Sequence, residues 1–208
     1  MINIISRENR HLFHHTLMEM HAQRKQVFID QLCWPLEECA GIEMDAFDGE
    51  STLYLIETAP DGAVVCSARL LPSMCPHLLG EVFEHICMQG APRSDTIWEA
   101  SRFCPAPETS KGQERRDMLM RMIAAIMEAS ILFGMEQVTF VAGAALARLA
   151  RKAGWDVELL GPMQRVGRER LTAMIAHATS AGLNRVRSLN GLEGPVTRYA
   201  DPALSRAA

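Results

Sequence analysis

Apolar residues recur at mixed three- and four-residue spacing early in the chain: Leu12, Phe13, Leu17, Met20, Val27 and Phe28. That period predicts a helix over 7–31. Trp34-Pro35 ends it, because a residue before proline is pushed out of helical geometry. Positions 35–50 lose the pattern and read as an acidic loop with Glu37, Glu38, Glu43, Asp45, Asp48 and Glu50. A β-prone run from Thr52 to Glu57, the turn Ala59-Pro60-Asp61-Gly62 and a return from Ala63 to Leu70 predict a hairpin. Pro76 suits a first helical position and opens a short helix over 76–87. Thr96 to Phe103 reads as a strand. Glu99 and Ser101 share one of its faces, and Trp98, Ala100 and Arg102 the other, unless a bulge intervenes. Residues 111–133, rich in Met, Ile, Ala and Leu, predict the longest helix, stopped by Gly134. A strand over 136–142, a helix over 144–153 ended by Gly154, and a strand over 155–160 ended by Gly161-Pro162 follow. The basic tail, 165–190, reads as a mixture with one helix around 169–181. Strand pairs followed by alternating helices and strands predict an α/β architecture: a mixed sheet with helices on both faces.

A length of 208 residues suits a single domain over 1–208. Its expected parts are an N-terminal cap of helix and loop (1–50), a sheet core (51–165) and a tail (166–208). Apolar residues make up 48% and charged residues 22%, the balance of an ordinary globular protein rather than a disordered chain. No run approaches the ~18 apolar residues of a membrane span. The first residues lack a basic segment followed by a long apolar stretch, so a cytoplasmic protein is expected. None of the six cysteines forms a Cys-x-x-Cys pair, which suits reduced thiols in the core rather than zinc or redox chemistry. His11, His14 and His15 fall close together on a helix, but no carboxylate or thiolate completes a ligand set, so no metal is expected. Charge is uneven. Residues 1–142 carry 11 Lys+Arg against 20 Asp+Glu, whereas 143–208 carry 10 against 5. A basic end on an acidic protein is either a solvated face or a dock for an acidic partner.

Several charged residues sit where water should be scarce. Arg69 ends an apolar strand and needs a carboxylate if buried. Glu99 and Arg102 lie within a strand between apolar neighbours, and such charges are paired or face a cleft. Asp45 and Asp48 lie three apart in the acidic loop. These residues form either a structural ion network or a reactive site. The glycine-bearing stretch Ser110-Lys111-Gly112 ahead of the longest helix is weak as a phosphate cradle and too poor in glycine for a nucleotide fingerprint.

Taken together, Arg24, Phe28, Trp34, Asp45, Asp48, Arg69, Glu99 and Arg102 match in order and approximate spacing the signature of the acyl-homoserine-lactone synthases. The strings Asp45-Ala46-Phe47-Asp48, Arg69-Leu70-Leu71-Pro72, Trp98-Glu99-Ala100-Ser101-Arg102-Phe103 and Ala153-Gly154-Trp155 strengthen the resemblance, which covers about residues 4–170. It implies the N-acetyltransferase (GNAT) fold, a mixed twisted sheet with a V-shaped cleft between strands 96–103 and 136–142. It implies an acyltransferase with no tightly bound cofactor. The amine of S-adenosylmethionine attacks an acyl thioester carried on acyl carrier protein or coenzyme A. The carboxylate then displaces the sulfonium and closes a lactone, releasing 5′-methylthioadenosine.

The resemblance also distributes roles. Glu99 is the candidate general base. Asp45, Asp48, Arg69 and Arg102 complete the catalytic set, with pairs such as Asp45–Arg69 or Asp48–Arg102 holding the cap. Arg24, Phe28, Trp34, Ser101 and Phe103 bind substrate; the aromatic faces and carboxylates suit a sulfonium. The acyl pocket is expected among Met122, Ile126, Phe140, Ala142 and Leu146, with Met74 nearby. Ala142 and Gly143 stand about where members accepting 3-oxo chains carry a hydroxyl, so an unsubstituted chain or one tolerant of substitution is expected. Arg148, Arg151 and Lys152 resemble a patch for the acidic carrier protein. An ordinary GNAT acetyltransferase using acetyl-CoA is the alternative. A nucleic-acid-binding regulator using Arg168, Arg170, Arg185 and Arg187 is disfavoured, since no helix-turn-helix accompanies them.

Overall fold

The computed structural model describes residues 1–107, 112–167 and 169–200. Ser110, Lys111 and Arg168 therefore lie outside the described residues. The chain opens with β1 (Ile2–Ile5). Helix α1 (His14–Arg24) follows and widens into a π-helical stretch over Lys25–Gln31. The acidic loop contains a small hairpin, β2 (Glu38–Cys39) with β3 (Ile42–Glu43). The predicted hairpin is present as β4 (Leu53–Thr58) and β5 (Val64–Pro72). The helix expected from Pro76 starts two residues later as α2 (Leu78–Glu81), and a separate 3-10 turn covers Glu84–Ile86. Then come β6 (Ile97–Pro105), α3 (Gln113–Leu132), β7 (Gln137–Gly143), α4 (Ala144–Lys152) and β8 (Val157–Leu159). The chain closes with β9 (Gln164–Val166), β10 (Glu169–His177), α5 (Ser180–Leu189) and β11 (Thr197–Tyr199).

Among the described residues nine strands form one mixed sheet in the order β11-β1-β4-β5-β6-β7-β10-β8, with β9 added to β10. One face carries α3, whose Met122, Ala125, Ile126 and Ala129 join the main apolar core with Leu55, Ala68 and Val138. On the other face Met20 of α1 packs on Ile5, Tyr54 and Ile56. Gly161 permits the loop after β8 to lie on the Ile86 carbonyl: a Cβ there would stand 2.1 Å from that oxygen.

One expectation is corrected. Residues 169–177 form a strand, not a helix. Leu171 to Ala176 is a short apolar run, which periodicity alone cannot assign. Buried between β7 and β8, it satisfies its backbone by pairing on both edges. β1 lies within the sheet, and the stretch after 166 supplies β10, β11 and α5. Glu128 of α3 anchors that tail, accepting from the backbone N–H groups of Val196 (3.0 Å) and Thr197 (2.9 Å) and from Arg187 (2.8 Å).

The feature that makes a site is the partial divorce of β6 from β7. They pair in parallel only from Ile97↔Gln137 to Glu99↔Thr139. Past that point each strand continues, β6 to Pro105 and β7 to Gly143, with no register between them. The result is a V-shaped cleft that opens at Glu99.

Candidate active site

A bulge arranges one wall of the cleft. On β5 and β6, Arg69 faces Ser101 and Ser67 faces Cys104, so three steps on β6 match two on β5. Arg102 sits in the extra step with φ +51°, a backbone region that L-residues other than glycine and asparagine seldom occupy. The strict alternation read from the sequence breaks there. Arg102 turns to the side of Arg69 and Ser101, where the acidic loop lies.

The loop and the strands are joined by three arginines and three carboxylates. Arg24 of α1, fully buried, donates from both terminal nitrogens to Asp48 (2.9 Å each) and from Nε to Glu43 (2.5 Å). Arg69 donates to Asp45 (2.5 Å), lies 3.0 Å from Asp48 and binds the Ser101 hydroxyl through Nε (3.1 Å). Arg102 donates to Glu43 (3.0 Å) and Asp45 (2.8 Å) and lies over the Phe28 ring, 5.6 Å from its centroid. The Tyr54 hydroxyl and the Asp45 N–H both donate to Asp48, each at 2.9 Å. The expected Asp45–Arg69 pair is present. Asp48 pairs with Arg24 and Arg69 instead of Arg102, because the bulge aims Arg102 at Glu43 and Asp45.

Charges are balanced within the network, which is how buried ions are tolerated. Burial pushes the Glu43 and Asp48 carboxyls upward. The guanidinium groups outweigh it, Arg24 and Arg102 at Glu43 and Arg24 and Arg69 at Asp48, and hold both below the ordinary carboxylate range. Burial pushes the Tyr54 hydroxyl up, and the Asp48 anion adds to the effect.

Glu99 is different. It is only 2% exposed, one oxygen accepts from the Leu79 backbone N–H, and Oε1 has no partner. Burial raises its carboxyl above the ordinary range, against the opposing pull of the Leu79 N–H, His77, Arg69 and Ser101. A buried acid with a raised pKa and a free oxygen at a cleft is equipped for proton transfer. Nη2 of Arg69 is likewise buried and unpartnered.

A cavity of about 290 Å³ runs through the cleft. At its cap end Phe28 and Trp34 stack 4.9 Å apart and 10° from parallel. Glu99, Ser101, Arg102 and Phe103 line the middle. Beyond them Met122 and Ile126 of α3, Phe140 and Ala142 of β7 and Leu146 of α4 form an apolar end, floored by Trp155 stacked on Phe140 at 5.5 Å. All five residues expected in the acyl pocket thus line one space. Met74 does not: it is 58% exposed and outside the cavity, because it lies in the turn after β5. Arg148, Arg151 and Lys152 are exposed on α4 with no ion-pair partner among the described residues. Of the tail arginines, Arg187 is held by Glu128 and Arg185 by the Gly154 carbonyl. His11, His14 and His15 are exposed.

Comparison with known proteins decides the family. The sequence model described as autoinducer synthase matches residues 8–186. The chain belongs to the autoinducer synthase family. Members of that family of known activity are similar over most of their length. An acyl-homoserine-lactone synthase of Ralstonia nicotianae is 34% identical, over 69% of this chain and 73% of that protein. An isovaleryl-homoserine lactone synthase of Bradyrhizobium diazoefficiens is 32% identical, over 77% and 72%. The solved structure of a CoA-dependent acyl-homoserine lactone synthase with SAM and isopentyl-CoA superposes with a TM-score of 0.89 at 27% identity, covering all of this chain and 98% of that one. An acyl-CoA N-acyltransferase of Pseudomonas aeruginosa, 16% identical with a TM-score of 0.56, shares the GNAT fold alone. The family's activity is that of an acyltransferase making acyl-homoserine lactones, and this displaces the ordinary acetyltransferase alternative. Among the described residues no helix is long and apolar enough to cross a membrane.

Sequence reasoning missed Glu43 and Tyr54. Glu43 was one of six loop acids, and only its place on β3, beside the buried end of α1, separates it from the exposed ones. Tyr54 read as an ordinary strand aromatic.

Proposed function

We propose that this member of the autoinducer synthase family condenses S-adenosylmethionine with an acyl thioester at the mouth of the β6–β7 cleft, with Glu99 as the general base. The observation carrying this reading is the placement of Glu99. It stands where the strands part, between an aromatic pair on one side and an apolar cavity on the other. The methionine amine arrives as an ammonium. Glu99 Oε1 takes its proton, directly or through a water, and the freed amine attacks the thioester carbonyl. The C–N bond forms, the C–S bond breaks, and the carrier thiol leaves with a proton. Backbone N–H groups released from the ladder past Glu99 are suited to hold the oxyanion. The substrate carboxylate then attacks the γ carbon, the C–S⁺ bond breaks, and the lactone closes with release of methylthioadenosine.

The stacked Phe28 and Trp34 present π faces to the sulfonium. Ser101 and Phe103 border the reacting centre. Arg24, Asp45, Asp48, Arg69 and Arg102, with Glu43, hold the cap against the sheet and so shape the S-adenosylmethionine site; the free Nη2 of Arg69 suits the substrate carboxylate. The acyl chain occupies the cavity lined by Met122, Ile126, Phe140, Ala142 and Leu146. With no hydroxyl at Ala142 or Gly143, an unsubstituted chain is preferred over a 3-oxo chain. The test is mass spectrometry of products from S-adenosylmethionine with acyl-carrier-protein and acyl-CoA donors of graded length. Lactone formed together with methylthioadenosine supports the reading. An acylated amine without lactone overturns it.

The donor in this reading is acyl carrier protein, a cytoplasmic acidic partner, docked on Arg148, Arg151 and Lys152. Three cations without an ion-pair partner among the described residues, on the helix that follows β7, support it. Reversing Arg151 and Lys152 to Glu is expected to raise KM for acyl-carrier protein about tenfold with kcat nearly unchanged, a steering effect that fades with salt. An equal loss with acyl-CoA would assign the patch to the coenzyme. No change with either donor would leave it a solvated face.

A further inference from the structure

Behind Glu99 lies a side chain that this mechanism does not use. His77 precedes α2 and is fully buried. Its Nδ1 is 2.8 Å from the Cys75 carbonyl oxygen. A carbonyl only accepts, so Nδ1 carries a proton and donates it. Its Nε2 is buried without a partner. An unpaired buried nitrogen carries a cost that a leucine would avoid.

The ring is the inside of a turn. The Glu81 N–H donates to the His77 carbonyl at 3.0 Å, and the chain between them wraps the imidazole. Glycine at residue 80 leaves room for the ring. A Cβ there would stand 2.7 Å from Cε1 of His77, 3.0 Å from its Nε2 and 2.8 Å from Nη2 of Arg93. Arg93 is itself held 3.3 Å from Glu81. The middle of the turn is Leu79, whose N–H donates to the Glu99 carboxylate. The groups facing Glu99 are thus His77 and Leu79 from this turn, Arg69 from β5 and Ser101 from its own strand. Arg93 and Glu81 stand around the histidine.

We propose that His77 is a positioning residue for Glu99. Its Nδ1–H bond to Cys75 and its packing on Gly80 fix the turn that aims the Leu79 amide at one carboxylate oxygen, leaving the other for the substrate amine. This rests on the reading of Glu99 as the base. A loosened turn leaves Glu99 free to rotate and removes a donor that favours its anion. Catalysis then falls, and the acid limb of the rate profile moves to higher pH.

Two substitutions separate the bond from the bulk. In His77→Asn the amide nitrogen takes the place of Nδ1 and can still donate to Cys75. In His77→Gln the amide sits one carbon further out, at the place of Nε2, and the bond is lost. His77→Gln is expected to lower kcat roughly tenfold and raise the acid limb of kcat/KM, with KM for S-adenosylmethionine nearly constant; His77→Asn is expected to stay within about threefold of the parent. Gly80→Ala presses on the same turn without touching the histidine and is expected to shift the limb in the same direction, which keeps the test available should His77→Gln fail to fold. If both histidine variants lose activity alike and in step with their melting temperatures, with no movement of the limb, His77 is packing only and the inference falls. Glu99→Gln is measured alongside. Should it retain parental activity, the base reading fails first and takes this inference with it. An inactive Glu99→Gln beside an unshifted His77→Gln and Gly80→Ala overturns the positioning role alone.

Discussion

Replacing Glu99 by Gln is expected to lower kcat by about 100- to 10,000-fold, the usual contribution of a positioned general base, and to leave the fold intact. The substitution is nearly isosteric. The glutamine carbonyl can still accept from the Leu79 N–H that Glu99 uses now, so the buried donor is not orphaned. What disappears is the ability to take a proton. The pH profile of the parent carries a second, independent sign of the same role. Burial raises the Glu99 carboxyl, so its anion exists only above a pH higher than an ordinary glutamate requires. The rate should therefore fall on the acid side through that raised pKa, and the limb should be absent from the residual activity of Glu99→Gln. Measuring kcat/KM against pH for both proteins checks the two at once. A glutamine variant with parental rates would place the base elsewhere and leave Glu99 as a structural acid.

The same pocket shows what a single sequence discloses and what it withholds. The order Arg24, Phe28, Trp34, Asp45, Asp48, Arg69, Glu99, Arg102 pointed to the candidate site through the family resemblance, and only Arg69, Glu99 and Arg102 stood where an ordinary surface explanation was strained. The five apolar residues expected to hold the acyl chain followed from the same resemblance, and they line one cavity with Glu99. Three things were hidden. Arg102 breaks alternation through a positive φ, and no residue type announces a left-handed arginine. Glu43 acquires meaning only from the buried arginines it meets in space. The strand over 169–177 was read as a helix because six apolar or small residues fit either period, and only neighbours on both edges decide between them. Pairing across a sheet is non-local, and local pattern cannot supply it.

Asp48→Asn is expected to destabilise the protein by about 3–5 kcal/mol, the usual consequence of removing one partner from a buried ion cluster. Asp48 has no exposed side-chain surface, so solvent cannot make good the loss. The substitution leaves three guanidinium groups facing two carboxylates. Arg24 loses a two-pronged partner and Arg69 a second anion, while the Tyr54 hydroxyl can still donate to the amide oxygen. For a chain of this length the melting temperature should fall by about 10 °C, read by thermal denaturation. The pH dependence follows with a fixed sign. Asp48 and Glu43 are depressed in the folded state, so their contribution is present above the unfolded pKa of about 4 and is lost as pH falls through the folded values. Glu99 acts oppositely, since a raised carboxyl favours the folded state below its unfolded pKa and loses that contribution as pH rises through the folded one. The parent should therefore lose stability on acidification, and Asp48→Asn should lose less of what remains, because one depressed acid is gone. Activity distinguishes architecture from contact. If Asp48 only braces the cap, KM for S-adenosylmethionine rises together with the loss of stability, and saturating S-adenosylmethionine recovers the rate and raises the melting temperature together. An Asp48→Asn protein that melts like the parent yet binds S-adenosylmethionine poorly would instead place this carboxylate on the substrate itself.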